Sequence, residues 1–314
     1  MPSAPVIKTV PSFLDRAKEV IATQTDGMTG EKKDRAVYIW QRSLLHYAVK
    51  LHDKKVDAIA TADVTEVLHP IWLDKKPTAK LVRKHIAKVF SSCIADELIT
   101  RNPAAMEDNL EHKLRKQNHK VRNHPAMPYK RVAAYVAELE AHGTLGALAL
   151  AFTILTCVRS NEAYKARWDD IDTDNIWTVA GKNSQFAKIP LSAKALEILR
   201  KVKALNVGQR GDAACIFPGK QNGHITGHTM LKLLQADHPG LTVHGFRTSF
   251  RSWGADLSSI DSDTLEYCLH HIEGSRTVQA YMRAECLEKR RRALEAWADY
   301  VAPTPARPHL HVVA

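Results

Sequence analysis

No stretch of this 314-residue chain holds the roughly 18 consecutive apolar residues a membrane-spanning helix needs. Its first residues, MPSAPVIKTVPSF, lack the basic n-region and apolar h-region of a secretory signal. No membrane partner is therefore expected, and the cytoplasm is the expected compartment. Cysteine is scarce. Cys93, Cys157, Cys215, Cys268 and Cys286 are odd in number, far apart and never in a CxxC pair, which argues against a disulfide framework or a cysteine zinc site and for reduced thiols. HExxH and P-loop motifs are also missing, so neither a metal-dependent nuclease nor an ATPase is indicated.

Acidic residues are in deficit, with 34 Asp and Glu against 45 Lys and Arg and a formal net charge of +11. Such a balance favours a polyanionic partner, because summed positive potential attracts and holds phosphate backbones. Histidine is plentiful at 16 residues, and His224 and His228 stand at a workable H-x3-H spacing. No Glu lies inside that pair and Gly227 suits a turn, so no metal is expected there.

Apolar residues recur at helical spacing over 12–26 and 31–51, the second stretch through Val37, Trp40, Leu44, Leu45, Tyr47 and Ala48. Thr61 to Asp63 offer caps for a helix over Val64–Trp72, and Thr78 begins another that ends near Ile99, before Asn102 and Pro103. Residues 1–113 thus read as an N-terminal helical bundle. Residues 114–131, LRKQNHKVRNHPAMPYKR, contain six Lys or Arg, two Pro and no acid, and read as an exposed basic interdomain linker. Its Arg115, Lys116, Lys120, Arg122, Lys130 and Arg131 are candidate phosphate contacts.

Residues 132–302 read as a second domain, with helices near 130–142, 144–157 and 160–167. Three short segments rich in β-branched and aromatic residues follow, Trp168–Ile171, Ile176–Val179 and Lys188–Leu191, and predict a small three-stranded antiparallel sheet. Helical spacing resumes at 193–204, 229–235, 244–257, 263–269, 277–281 and 286–301. The fold class is mainly α with a small antiparallel sheet, α+β, and residues 303–314 read as a disordered tail.

Four patches in this second domain carry cationic and proton-transferring side chains: Arg159 with Glu162, Lys182, His244 with Arg247, and His271 with Tyr281 ten residues later. Singly each is bland, since an Arg three residues before a Glu is usually a surface helical pair. In order, they resemble the tyrosine recombinase, or phage integrase, family, in particular integrases of prophages and integrative elements. Arg159 and Glu162 precede Trp168-Asp-Asp-Ile171, Lys182 precedes Ile189-Pro-Leu-Ser192, His244-Gly-Phe-Arg247 is the H-x-x-R box, His271 follows Leu269, and Ala280-Tyr281 fits the nucleophile. The resemblance covers residues 128–301 strongly, and residues 11–110 by helix count as the family's core-binding domain.

The resemblance implies that Tyr281 attacks a DNA phosphodiester and forms a 3′-phosphotyrosine. Arg159, Arg247 and His271 would stabilise the negative charge that builds on the nonbridging oxygens. His244 is the implied proton acceptor, Lys182 the acid that protonates the leaving 5′ hydroxyl, and Glu162 a supporting residue. Bond energy is kept in the ester, so neither ATP nor metal, and no cofactor, is implied. Two positions depart from the family, Cys157 where Gly is common and His270 where Ala is common. His270 stays a rival for His271, and Lys188 for Lys182.

The implied partners are double-stranded DNA core sites, a homotetramer that pairs two such sites, and accessory DNA-bending or directionality proteins, with the protein bacterial and nucleoid-associated. Only about ten residues precede the first helix, so the family's arm-binding domain is not expected within this sequence, either because the protein works on short core sites alone or because the arm has been removed. The apolar face of Leu287, Leu294 and Trp297 could dock on a neighbouring subunit or pack at home. The rivals are a type IB topoisomerase, against which the N-terminal bundle argues, and a DNA-binding descendant that has lost cleavage, against which the full set of site residues argues.

Overall fold

A computed structural model describes residues 9–107, 109–117, 125–180, 186–205, 214–219, 223–270 and 286–303. The chain divides into two compact units at residues 121 and 122.

The first unit is helical. Ser12 caps α1 (Phe13–Thr25) by accepting from the Asp15 amide at 3.1 Å. The helix predicted over 31–51 breaks into α2 (Gly30–Gln41), a π-helical turn (Arg42–Tyr47) and a short 3-10 turn (Val49–Leu51). α2 buries no residue, and the wider π turn advances the register so that Leu44, Ala48 and Leu51 enter the core. α3 (Thr61–Trp72) starts where the Asp63 carboxylate accepts the Ala60 amide at 2.9 Å. α4 (Lys76–Ala95) carries Val82, Ile86, Val89 and Phe90 on one face, and these pack with Phe13, Leu44 and Leu68.

The second unit is built round α6 (Leu145–Thr156), buried at every position from Ala147 to Thr156. A helix apolar on all sides belongs at a centre, and α5 (Tyr129–His142) and α8 (Ala193–Leu205) pack against it. β1 (Ile176–Ala180) and β2 (Phe186–Pro190) pair antiparallel, with Trp177 opposite Ile189 and Thr178 opposite Lys188. α9 (Gly227–Asp237), α10 (Gly245–Leu257), α11 (Ser262–Cys268) and α12 (Leu287–Val301) follow. All five cysteines of the chain are buried free thiols.

Two expectations need correction, the third strand and the full exposure of the basic stretch, and the alternative left open for the last helix is decided. The predicted third strand, Trp168–Ile171, is a 3-10 turn over Trp168–Asp170, joined to its surroundings by single bridges from Arg167 to Cys215 and from Ile171 to Trp177. Two adjacent aspartates are poor strand formers and interrupt the alternation a paired strand needs. The sheet among the described residues is therefore two-stranded. The apolar face of α12 packs at home: Leu294 and Trp297 are buried, and the Trp297 indole donates to the Ile154 carbonyl at 2.9 Å. The basic stretch 114–131 is anchored at both described ends. Leu114 is buried, and the Trp72 indole donates to the Arg115 carbonyl at 2.7 Å. At the other end Met127 is buried, and its carbonyl accepts from the Ser249 hydroxyl at 2.5 Å. Beside these anchors, Arg115, Lys116, Lys130 and Arg131 are exposed. No helix among the described residues is long and apolar enough to cross a membrane.

Candidate active site

α6 ends at Cys157, whose φ of 56° lies in the left-handed region. That conformation costs a side-chain-bearing residue about 1 kcal/mol. It reverses the chain so that Arg159 leads into the short helix α7 (Ser160–Tyr164). Glu162, in the first turn of α7, is buried and reaches back. Its Oε2 accepts the Arg159 amide at 2.8 Å and its Oε1 accepts Arg159 Nη1 at 3.1 Å. The Arg159 side chain, 36% exposed, is thus aimed by a carboxylate that is only 4% exposed.

Arg247 reaches the same place from the first turn of α10. It is 4% exposed, and its guanidinium donates to the Cys157 carbonyl at 2.5 Å and to the Leu269 carbonyl. Burial, and then the neighbouring charge of Arg159, lower its pKa from the ordinary value. An arginine stays charged through such a shift. Two guanidiniums brought close enough to oppose each other's charge form a seat for an anion, which would relieve the repulsion and accept paired hydrogen bonds.

His244 lies three residues before Arg247 at the start of α10, and it is exposed. The turn that carries it requires a glycine at 245, where a Cβ would stand 2.3 Å from the Pro125 carbonyl oxygen. The Thr242 hydroxyl accepts the Gly245 amide at 3.1 Å and completes the turn. His270 also adopts a left-handed conformation, with φ of 54°, and its ring faces Glu162 with Nδ1 3.9 Å from Oε2. Lys188, the alternative to Lys182, is exposed on β2. Tyr281, Lys182 and His271 lie outside the described residues, as do Lys120 and Arg122. Of the predicted cluster, the structure brings together Arg159, Glu162 and Arg247, with His244 at the N-cap of the helix that carries Arg247.

Sequence reading missed a second cationic feature. In the first unit a cleft of about 730 Å³ is lined by Lys80, Arg83 and Lys84 of α4 together with Arg115, Lys116 and Trp72. Lys76, Lys80, Lys84 and Lys88 recur every four residues, a basic stripe that was legible in the sequence. It also missed the carbonyls of Cys157 and Leu269 that hold Arg247, for which sequence offers no signal.

The sequence signature described as the phage integrase central domain matches residues 13–108, and that of the phage integrase family matches residues 128–287. Similar proteins include the integrase of Enterobacteria phage P4, 27% identical over 274 residues that make up 79% of this chain and 57% of that protein. Another is prophage integrase IntZ of Escherichia coli, 26% identical over 260 residues, 80% of this chain and 62% of that one. The chain thus spans less than two thirds of the length of these relatives. Among solved structures, a lambda integrase tetramer bound to a Holliday junction aligns with a TM-score of 0.64 at 18% identity, covering 87% of this chain and 78% of that one. The Tn1549 transposon integrase in complex with transposon right end DNA aligns with a TM-score of 0.61 at 13% identity, covering 88% and 100%.

Proposed function

The chain belongs to the phage integrase family, and we propose on that premise that it is a tyrosine-type site-specific recombinase that cuts and rejoins duplex DNA at core sites. One observation carries this reading. Arg159 and Arg247 converge although they repel each other, one aimed by a buried carboxylate and the other fixed by two backbone carbonyls. Fixed guanidiniums suit a phosphodiester whose nonbridging oxygens gain charge in the transition state, because they need no reorganisation as that charge appears.

Tyr281 attacks the phosphorus, loses its proton to His244, and becomes esterified to the 3′ phosphate. The bond to the 5′ oxygen breaks, and Lys182 supplies a proton to that leaving oxygen. His271 donates a further hydrogen bond to the phosphate. Attack by the 5′ hydroxyl of a second duplex reverses the sequence and leaves a rejoined strand, with no net consumption of a cofactor. The exposed cations of the 114–131 stretch and of the α4 cleft contact phosphates, which makes affinity fall steeply with salt. We carry over the tetramer described for lambda integrase as the state in which two core sites are exchanged for integration or excision. Accessory DNA-bending or directionality proteins and a cytoplasmic, nucleoid-associated location belong to the same proposal. So does a division into residues 1–113, a linker over 114–131 and a catalytic domain over 132–302.

The test is covalent trapping without metal or ATP. The protein and its Tyr281→Phe variant are incubated with nicked duplexes drawn from DNA flanking its own gene, and denaturant-resistant adducts are sought. An adduct formed by the parent and lost in the variant is expected. Tight, sequence-specific binding by the parent with no adduct on any bound site would contradict the proposal.

A further inference from the structure

His270 occupies a position that the recombinase pattern commonly fills with alanine, and it does so in a backbone conformation that disfavours any side chain with a Cβ. Its imidazole is 9% exposed and turned toward the Glu162 carboxylate, with 3.9 Å between Nδ1 and Oε2. Glu162 is itself 4% exposed, and its partner Arg159 is partly in solvent. A carboxylate taken out of water is costly unless its oxygens are matched by donors or cations.

The same left-handed turn has a second effect. The residue before it, Leu269, presents its carbonyl to the Arg247 guanidinium, and the His270 amide bonds back to the Tyr267 carbonyl at 3.1 Å. One turn of chain therefore sends a backbone acceptor to one arginine and an imidazole to the carboxylate that aims the other. We infer that His270 is a positioning residue of the cleavage reaction, pairing with Glu162 so that Arg159 and Arg247 are held in register with each other. This rests on the recombinase reading above, and it leaves His271 as the histidine that touches the phosphate. The strain at residue 270 persists because the imidazole's contact with Glu162 offsets it.

The variants are His270→Gly, which removes the imidazole and relieves the left-handed strain, and His270→Asn, which tolerates that conformation and keeps a short polar group. His270→Gly is expected to unfold at or above the parent's temperature and to bind duplex within about twofold of it. Its single-turnover adduct formation should slow ten- to a hundredfold, the scale of loss when a catalytic group is displaced by a fraction of an ångström to one. His270→Asn should recover most of that loss. A glycine variant that cleaves at the parent rate, or an asparagine variant as slow as glycine, would overturn the inference. A readout free of catalysis separates it from the function itself. The His270 imidazole resonance, assigned by its disappearance in His270→Asn, should titrate at lower pH in Glu162→Gln than in the parent. If the parent forms no adduct the recombinase reading falls, and an unchanged titration in Glu162→Gln would remove the His270–Glu162 pairing as well.

Discussion

The two cationic regions of the molecule are built in opposite ways. In the α4 cleft, Lys80, Lys84, Arg115 and Lys116 end in solvent, on flexible stems, with no shared anchor. At the end of α6, Arg247 is buried and bonded to two carbonyls, and Arg159 is tied to Glu162. Exposed lysines attract a polyanion from any approach and gain energy by releasing its counterions, a job that needs charge but no exact geometry. Fixed guanidiniums pay for desolvation and mutual repulsion in advance, which is useful only where charge must be met at one point in space. The proposed binding and cleavage functions should therefore be separable by substitution.

The largest separation is expected from Arg247→Lys, which keeps the charge but cannot reach both the Cys157 and Leu269 carbonyls while meeting a phosphate. Adduct formation should fall about a hundred- to a thousandfold, with duplex affinity changed by less than about threefold, both read in single-turnover and binding assays. Arg159→Lys breaks a less buried anchor and should cost about ten- to a hundredfold in the same assay.

His85 is buried on α4, stacked on Trp40 at 3.7 Å between ring centroids. Burial, with the charge of Lys84, lowers its pKa to about 4. Because the folded pKa lies below the unfolded value of about 6.5, the unfolded chain takes up a proton first as pH falls. The contribution of His85 is thus full above pH 6.5 and is lost progressively toward pH 4, up to about 3 kcal/mol in all. Urea midpoints followed by tryptophan fluorescence should show this loss in the parent and a flatter profile in His85→Phe. In the second unit, Gly245→Ala forces a methyl against the Pro125 carbonyl and should cost about 2 kcal/mol in thermal unfolding. The smallest effect is expected from Lys84→Gln. It should weaken duplex binding a few-fold and lower the salt slope by about 1, the signature of one lost phosphate contact.

Much of this was legible in the sequence, because helix faces and box motifs are local. The helices from Phe13 to Trp297 were read from apolar spacing and caps, while Arg159, Glu162 and Arg247 were grouped by the family resemblance. What failed was whatever depended on tertiary context. Trp168–Ile171 has strand-like ends, but its paired aspartates turn it into a 3-10 segment. The periodicity of 31–51 hid a π turn, since apolar spacing cannot reveal a one-residue slip. The basic stretch looked exposed because its charges mask Leu114 and Met127, which anchor it. The α4 stripe went unread although its four-residue period was visible, and the strained turn at His270 has no local signature at all.

Whether geometry at Arg247 governs cleavage while charge in the α4 cleft governs binding is decided by the rate of adduct formation at saturating duplex. It is measured side by side for the parent, Arg247→Lys and the Lys80→Gln, Lys84→Gln double variant. Saturation should restore the double variant to near the parent rate and leave Arg247→Lys at least a hundredfold slow. An Arg247→Lys protein brought to the parent rate by saturation alone, or a double variant that stays equally slow, would contradict that division of roles.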